Sequence, residues 1–427
     1  QLTLNVTNLG ALAAGSLVIA GVDGNVGAGF ADLQLTNAAM AANQGFSGTS
    51  MAVRGDILVS ASRTGLGDGF LAQDPLTSAW RALGSADLNP TVAGWNAQQN
   101  AGVTGAVTMS SPTSVNTLTF DGATTSLGSG LSATTFGKFG PAGTVLTLSL
   151  ANASAVLVKS GTTSIDVGLL GTATQAPQFH VLAGATLNVD SYLGMGSTVG
   201  FVKSDGGVMS LNALTGIPGA SEVRINGGTL RLNSGFANTI PVNPTTGSPS
   251  LVYLHLSDAS SVFDIGAYNQ TVQGLTSANS MPGMGGTVTG LAGAVFTTTN
   301  TSTFSGTIAG GLSFQRAGNT TTTLTAPSTY TGSTVIRGGT LQLRDEATIL
   351  NTSGITINNG QLLWDNFGFN AAANPTRVSP TTPIVINGGQ LTISGGGGVD
   401  TDITLGTVTA NSGYMMFSTL PYINEGS

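Results

Sequence analysis

TTTLTAPSTYTGSTVIRGGTLQL, Thr321 to Leu343, carries two short runs of period-two alternation on either side of Gly338-Gly339. Ile336 precedes the glycines and Leu341 and Leu343 follow them, with Arg337 and Gln342 beside the apolar positions. The pattern is strand, glycine turn, strand. It recurs as Val223, Ile225, Gly227-Gly228, Leu230, Leu232, as Ile355, Ile357, Asn359-Gly360, Leu362, Trp364, and as Ile384, Ile386, Gly388-Gly389, Leu391, Ile393. A unit this short cannot bury its own apolar face, so the copies must stack on one another.

The apolar residue after each turn serves as a ruler. Leu146, Ile165, Leu187, Met209 and Leu230 are spaced by 19, 22, 22 and 21 residues, Leu341 and Leu362 by 21, and Leu362 and Leu391 by 29. A strand-bearing period near 20 suits one coil of a parallel β-solenoid. Leucine-rich repeats share the length but need a fixed LxxLxL frame that this chain lacks, and propeller blades run to about 40–50 residues. The predicted fold is therefore all-β: a right-handed parallel β-solenoid (β-helix) with Ile165, Leu187, Met209, Leu230, Leu341, Leu362 and Leu391 stacked inside.

Two parts are expected, a cap or head over residues 1–104 and the solenoid over 105–427. A solenoid end exposes a β-edge that invites uncontrolled pairing, so a capping segment is required there. Asp74-Pro75, Leu76 to Leu83 and Gly84 carry the N-cap, first-turn proline and terminal glycine of a short helix. Alanine-rich Asp32 to Asn43 reads as a second helix, which makes the cap partly helical. At the other end, Tyr414 to Phe417 and Pro421 to Ile423 are apolar and aromatic, expected to close the stack or to touch a neighbouring subunit.

Composition bounds the partners. Charged residues are 7% of the chain, against about 25% in ordinary soluble domains. The net charge is −7, and the three lysines and nine arginines are scattered singly, which argues against nucleic acid as a partner. So few charges give weak colloidal repulsion and suit a body packed in an assembly. There is no cysteine, hence no dependence on disulfides, and no run reaches the ~18 apolar residues of a membrane helix. The first residue is Gln1, so the chain reads as processed or excised.

Ser305 to Leu343 resembles the autotransporter-associated β-strand repeat of bacterial surface proteins, on Tyr330-Thr331-Gly332 followed by Thr334, Ile336 and Gly338-Gly339-Thr340-Leu341. Phe263 to Leu275 resembles the link that precedes such repeats, and Ser114 to Leu127 their opening strand pair. The likeness covers most of residues 105–395. It implies an exported β-helical passenger-type protein on a bacterial surface, and it implies little about activity, because such rods bear different functions. The family's terminal membrane barrel, with its aromatic girdles, has no counterpart in a sequence of 6% aromatics. The expectation is that a barrel was removed or that export takes another route.

Several fragments suggest chemistry, and each has a plainer reading. Gly48-Thr49-Ser50-Met51-Ala52 matches the serine motif of subtilisin-like proteases, but that chemistry needs a histidine base and an aspartate around the serine. The only histidines are His180 and His255, both expected within coils. Arg54-Gly55-Asp56 matches an adhesion tripeptide, against the commoner reading of a turn before Ile57-Leu58-Val59. Gly395 to Asp402 resembles one flawed copy of a calcium-binding nonapeptide that works only when stacked, and Asp23-Gly24-Asn25 lacks the glutamate of an EF-hand loop. A polysaccharide-cleaving β-helix would need clustered carboxylates and a base. Asp166, Asp190, Lys203 and Asp205 come from successive coils and are the candidates, with solvated turn residues as the plainer reading. Asn152-Ala153-Ser154 and Asn269-Gln270-Thr271 are chance sequons in an Asn/Thr/Ser-rich chain.

No catalytic, cofactor-binding or metal-ligating set is expected. The reading is a non-enzymatic extracellular structural protein that self-assembles through residues 1–9 and 414–427 into a cell-surface filament, sheath or layer, without spanning a membrane. The alternatives are an adhesin presenting residues 1–104 to a glycan or host receptor, and a glycan-cleaving enzyme.

Overall fold

The computed structural model describes residues 3–7, 17–20, 32–36, 52–60, 67–73, 80–128, 146–172, 176–195, 200–217, 221–240, 252–368, 376–395 and 402–420. The chain forms two compact units, one of Gln1–Gly228 with Asn243–Ser250, the other of Thr229–Val242 with Leu251–Ser427. Each is built on a stack of parallel strands.

In the first unit the chain visits three walls in turn. Leu169–Thr172, Tyr192–Met195 and Thr215–Gly216 build one wall. Gln178–Val181, Phe201–Ser204 and Glu222–Asn226 build the next, and Thr162–Asp166, Thr186–Val189 and Val208–Leu211 the third. Each strand pairs in parallel with the strand one coil away, which is the predicted parallel β-solenoid. Alternation decides the facing. Val156, Phe179, Lys203 and Ile225 form one register column, and Phe179 meets Phe201 edge to face.

The ruler needs one correction. Leu187 pairs with Met209, but Ile165 pairs with Leu127 and Val189. The position equivalent to Leu187 is Thr163, itself opposite Thr125. The two hydroxyls bond each other at 2.7 Å inside the core. A ruler that counts only apolar residues steps over this inward threonine and lands two residues late, on the same face.

In the second unit Ser261–Asp264, Thr287–Gly290 and Thr307–Gly310 make one wall. Gln270–Val272, Val295–Thr298, Ser313–Ala317 and Thr334–Arg337 make another. Tyr253–Leu256, Gly274–Ser277, Ser302–Phe304, Thr321–Leu324 and Thr340–Leu343 make the third. Phe263, Phe296, Phe314 and Tyr330 run through this core with ring centroids 6.2–6.3 Å apart.

The strands flanking Gly338-Gly339 do not pair with each other. Thr334–Arg337 pairs with the start of the strand Ile355–Asp365, and Thr340–Leu343 pairs with its end. The diglycine is therefore a corner between two walls rather than a hairpin turn. In Ile355–Asp365 and Ile384–Ser394 the chain passes the corner within one strand. The columns Ile336–Ile357–Ile386, Leu341–Leu362–Leu391 and Leu343–Trp364–Ile393 hold in strict register. Gly338 and Gly339 sit at φ +76° and +60°, and Asn359 at +54°, a region that favours glycine and asparagine.

The expected N-terminal helices are strands where they are described. Asp32–Thr36 pairs in parallel with Thr3–Thr7, and 37–43 lie outside the described residues. Trp80–Ala82 pairs antiparallel with Gly69–Gln73, and 74–79 lie outside them. Pairing along Gly69–Gln73, whose apolar residues are buried, overrides the local helix signals. Among the described residues, helical turns are confined to the 3-10 segments Ser85–Asp87 and Val92–Gly94.

Candidate functional site

Among the described residues of the first unit, titratable side chains gather around the strands Gln178–Val181 and Phe201–Ser204. Alternation turns Phe179 and Lys203 inward, and sets Gln178, His180 and Ser204 on the outer face. That outer face is buried, because a sheet of Ala52–Ser60, Gly69–Gln73 and Trp80–Ala82 lies on it. Val53, Leu58, Phe70, Ala72 and Leu83 of this cover pack with Ala155, Leu157 and Leu182 of the coils. The approach is so close that a Cβ on Gly55 would lie 2.5 Å from the Ala155 Cβ.

His180 is fully buried at this junction. Its Nδ1 lies 2.9 Å from Asp205 Oδ2 and its Nε2 3.1 Å from the Gly55 carbonyl oxygen. The Phe70 ring meets the imidazole edge-on at 5.9 Å. On the inner side of the same turn, Lys203 Nζ donates to the carbonyls of Ser204, Asp205 and Gly227 at 3.1, 2.5 and 2.9 Å. Burial lowers the Lys203 ammonium from 10.5 to about 7, with the Asp205 carboxylate pulling the other way. A histidine–aspartate pair and a depressed lysine are the raw materials of acid–base catalysis. Here every one of these contacts ends on a backbone carbonyl or on the pair itself, beneath a packed sheet.

The remaining candidates are dispersed. Asp190 accepts from Asn212 Nδ2 at 2.7 Å, and burial first, then Asp190, push Asp166 upward. This pair belongs to the third-wall corner, whereas Lys203 with Asp205 belongs to the second wall. Arg54-Gly55-Asp56 lies within the strand Ala52–Ser60 instead of a turn. Arg54 is 5% exposed and bonds Asp56 at 2.5 and 2.7 Å, so the tripeptide is folded on itself. His255 Nδ1 lies 2.9 Å from Thr276 Oγ1 in the second unit. Asn269 is exposed and accepts from the Val295 amide, whereas the Asn152 side chain is outside the described residues. Gly48 to Met51, Asp23-Gly24-Asn25 and 396–401 are also outside them. Among the described residues no three His, Asp or Glu side chains converge as a metal site.

One feature of the second unit escaped the sequence reading. Arg316 is fully buried and donates to Thr298 O and Thr320 Oγ1 at 3.2 and 2.7 Å. It pairs in register with Ile336, two residues before Gly338-Gly339, as Lys203 pairs with Ile225, two residues before Gly227-Gly228. A Cβ on Gly228 would lie 2.5 Å from Lys203 Nζ, and one on Gly339 3.0 Å from Arg316 Nη2. The same Cβ atoms would stand 2.3 Å from the carbonyl oxygens of Gly207 and Thr320, so the diglycine makes room for the backbone of the preceding coil and, beside it, for a buried cation. The signal that could have found it is a lone Lys or Arg at an inward position one period before a diglycine.

The apolar segment Tyr414 to Phe417 that the sequence singled out lies in the strand Val408–Leu420, and 421–423 lie outside the described residues. The strand pairs in parallel with Ile384–Ser394 and places Phe417 opposite Leu391. Its side chains are nonetheless open, with Tyr414 77%, Phe417 49% and Leu420 51% exposed. No helix among the described residues is long and apolar enough to cross a membrane. No family model, curated protein or solved structure matches the chain.

Proposed function

We infer that the protein is a non-enzymatic extracellular structural component of a bacterial surface, whose copies assemble into a filament, sheath or layer through terminal segments. The observation that carries this reading is the strand Val408–Leu420, which continues the Leu341–Leu362–Leu391 column yet leaves Tyr414, Phe417 and Leu420 exposed. A paired strand whose apolar side chains are exposed on both of its faces is a template for another chain. Low charge supports the same reading, because assembly meets little electrostatic repulsion. So does the commitment of His180, Lys203, Arg316 and Asp205 to internal contacts, which suits a scaffold better than a reaction centre. The surface location rests on the resemblance of Ser305 to Leu343 to autotransporter-associated repeats.

Negative-stain imaging of the full chain tests the proposal. The wild type is expected to form filaments or sheets, and the double variant Tyr414→Asp, Phe417→Asp to give separate particles with an unchanged β-sheet circular dichroism spectrum. Separate wild-type particles at every concentration, or equal assembly by the variant, would refute it.

A further inference from the structure

We propose that the open edge of Val408–Leu420 is a two-fold dimer interface, on which the same edge of a second copy pairs antiparallel about the corner Gly413-Tyr414. The proposal rests on the reading that copies meet through this terminal segment, and it commits that segment to one partner and one orientation.

Stacking the last coil of one copy on the first coil of the next is blocked by the first unit itself. Its opening strand, Asn100–Val103, pairs on one side with Thr113–Phe120. The other side is taken by Asn89, whose amide donates to the Asn100 carbonyl at 2.7 Å and whose carbonyl accepts from the Gly102 amide at 3.1 Å. Trp95 Nε1 donates to that same carbonyl at 2.9 Å. Leu88 lies so close that a Cβ on Gly102 would stand 2.9 Å from its own Cβ. Beside it the Gln99 carbonyl accepts from the Asn116 amide at 2.7 Å. Ala106–Thr108, on the third wall at this end, is only three residues long, and so short a strand blunts an edge. Val408–Leu420 has no such cover: among the described residues it pairs with Ile384–Ser394 alone.

The strand is complementary to itself. It turns a corner at Gly413, φ +73°, beside Gly388, which leaves one arm along Ile384–Ile386 and the other along Gly389–Ser394. A two-fold axis through that corner lays each arm on the opposite arm of the partner. Val408 and Ala410 continue the inward columns of Ile384 and Ile386, and Phe417 and Thr419 those of Leu391 and Ile393. Thr409 and Ser418 continue Val385 and Thr392 on the outer face. The irregular corner thus moves the inward positions from even to odd numbers. Antiparallel partners then fall as Ala410 to Phe417, Val408 to Thr419 and Thr409 to Ser418, inward against inward and outward against outward. A two-fold interface also sets residues near the axis against their own copies, where any charge would meet its like. Val408–Leu420 contains no Asp, Glu, Lys, Arg or His.

The chain has no cysteine, so introduced ones report this contact alone. Directly opposite antiparallel residues have Cα atoms about 4.5–5.5 Å apart, within the span of a disulfide. Full-length Thr409→Cys and Ser418→Cys, mixed and left to exchange before mild oxidation, are expected to give a disulfide-linked dimer that neither variant gives alone. Light scattering of the wild type is expected to show a dimer or an even multiple of it. Phe417→Asp, at an exposed position, should weaken dimerisation at least about thirtyfold. Wild-type monomers at every concentration, or unchanged dimerisation of folded Phe417→Asp, overturn both this proposal and the terminal-segment reading. Wild-type assembly with no cross-link in the mixture overturns the two-fold interface and leaves that reading standing. Cross-linked pairs that grow no further support the interface and overturn the filament or layer.

Discussion

Gly339→Ala probes why the repeat needs its glycines. A Cβ at φ +60° carries about 1–2 kcal/mol of backbone strain. At this position it would also stand 2.3 Å from the Thr320 carbonyl oxygen, 2.8 Å from that of Gly318 and 3.0 Å from Arg316 Nη2. The two carbonyls belong to the backbone, so relief requires the corner itself to shift, and with it the Thr320 side chain that accepts from Arg316 Nη2; losing one bond to a buried charged group costs about 1.5–3 kcal/mol. The expected total is about 3–5 kcal/mol. Gly293 is the control for strain alone, with φ +90° and no atom within 4 Å, and Gly293→Ala should cost about 1–2 kcal/mol. Gly354 has no positive φ and its nearest neighbour is at 3.6 Å, so Gly354→Ala should be neutral or stabilise by about 0.4–1 kcal/mol. Local opening free energies from exchange of the Thr340–Leu343 amides, together with the thermal midpoint, rank the three variants. Equal costs at Gly339 and Gly293 would refute the view that close approach of the preceding coil, its carbonyls and the Arg316 cation together, is what demands glycine at the corner.

Lys203 gives a pH effect that acts on the whole first unit. Burial lowers it to about 7, so between about 7 and 10.5 the unfolded chain binds the proton that the folded chain has lost. Stability therefore rises with pH through that window by up to a few kcal/mol and is lost below it; Lys203→Met should flatten the urea-midpoint profile, and an unaltered slope would exclude this linkage. Arg377 is fully buried and donates to Asn366 Oδ1, Ala347 O and Asp365 O at 3.0, 2.8 and 3.0 Å. Lysine cannot reproduce that planar fork, so Arg377→Lys should destabilise the second unit by about 3 kcal/mol or more. A thermal midpoint within a degree or two of wild type would contradict it.

The coil was legible because its signal is local and periodic. Ile336, Leu341 and Leu343 predict their own columns, and Ile357, Leu362 and Trp364 occupy them. What failed were inferences from one stretch about a distant partner. Asp74-Pro75 to Gly84 has good helix punctuation, yet Trp80–Ala82 takes its conformation from the antiparallel Gly69–Gln73. Thr163 is polar and was passed over, although Thr125 on the previous coil makes it a core residue. Arg54-Gly55-Asp56 looked like a turn because nothing in the tripeptide reveals Ala155 beneath Gly55.

The scarcity of charge was legible too, but its meaning was only half drawn. A solenoid corner takes carbonyls out of the ladder at each passage, and an unpaired buried carbonyl is costly. Ser204, Asp205 and Gly227 are answered by Lys203, Thr298 by Arg316, and Ala347 and Asp365 by Arg377. Of twelve Lys and Arg in the chain, these three are buried to 0% exposure at or beside corners. Few cations therefore means more than a weakly charged surface. Some of the few are interior fittings, and the glycines that first marked the repeat are the space left for two of them, Lys203 and Arg316.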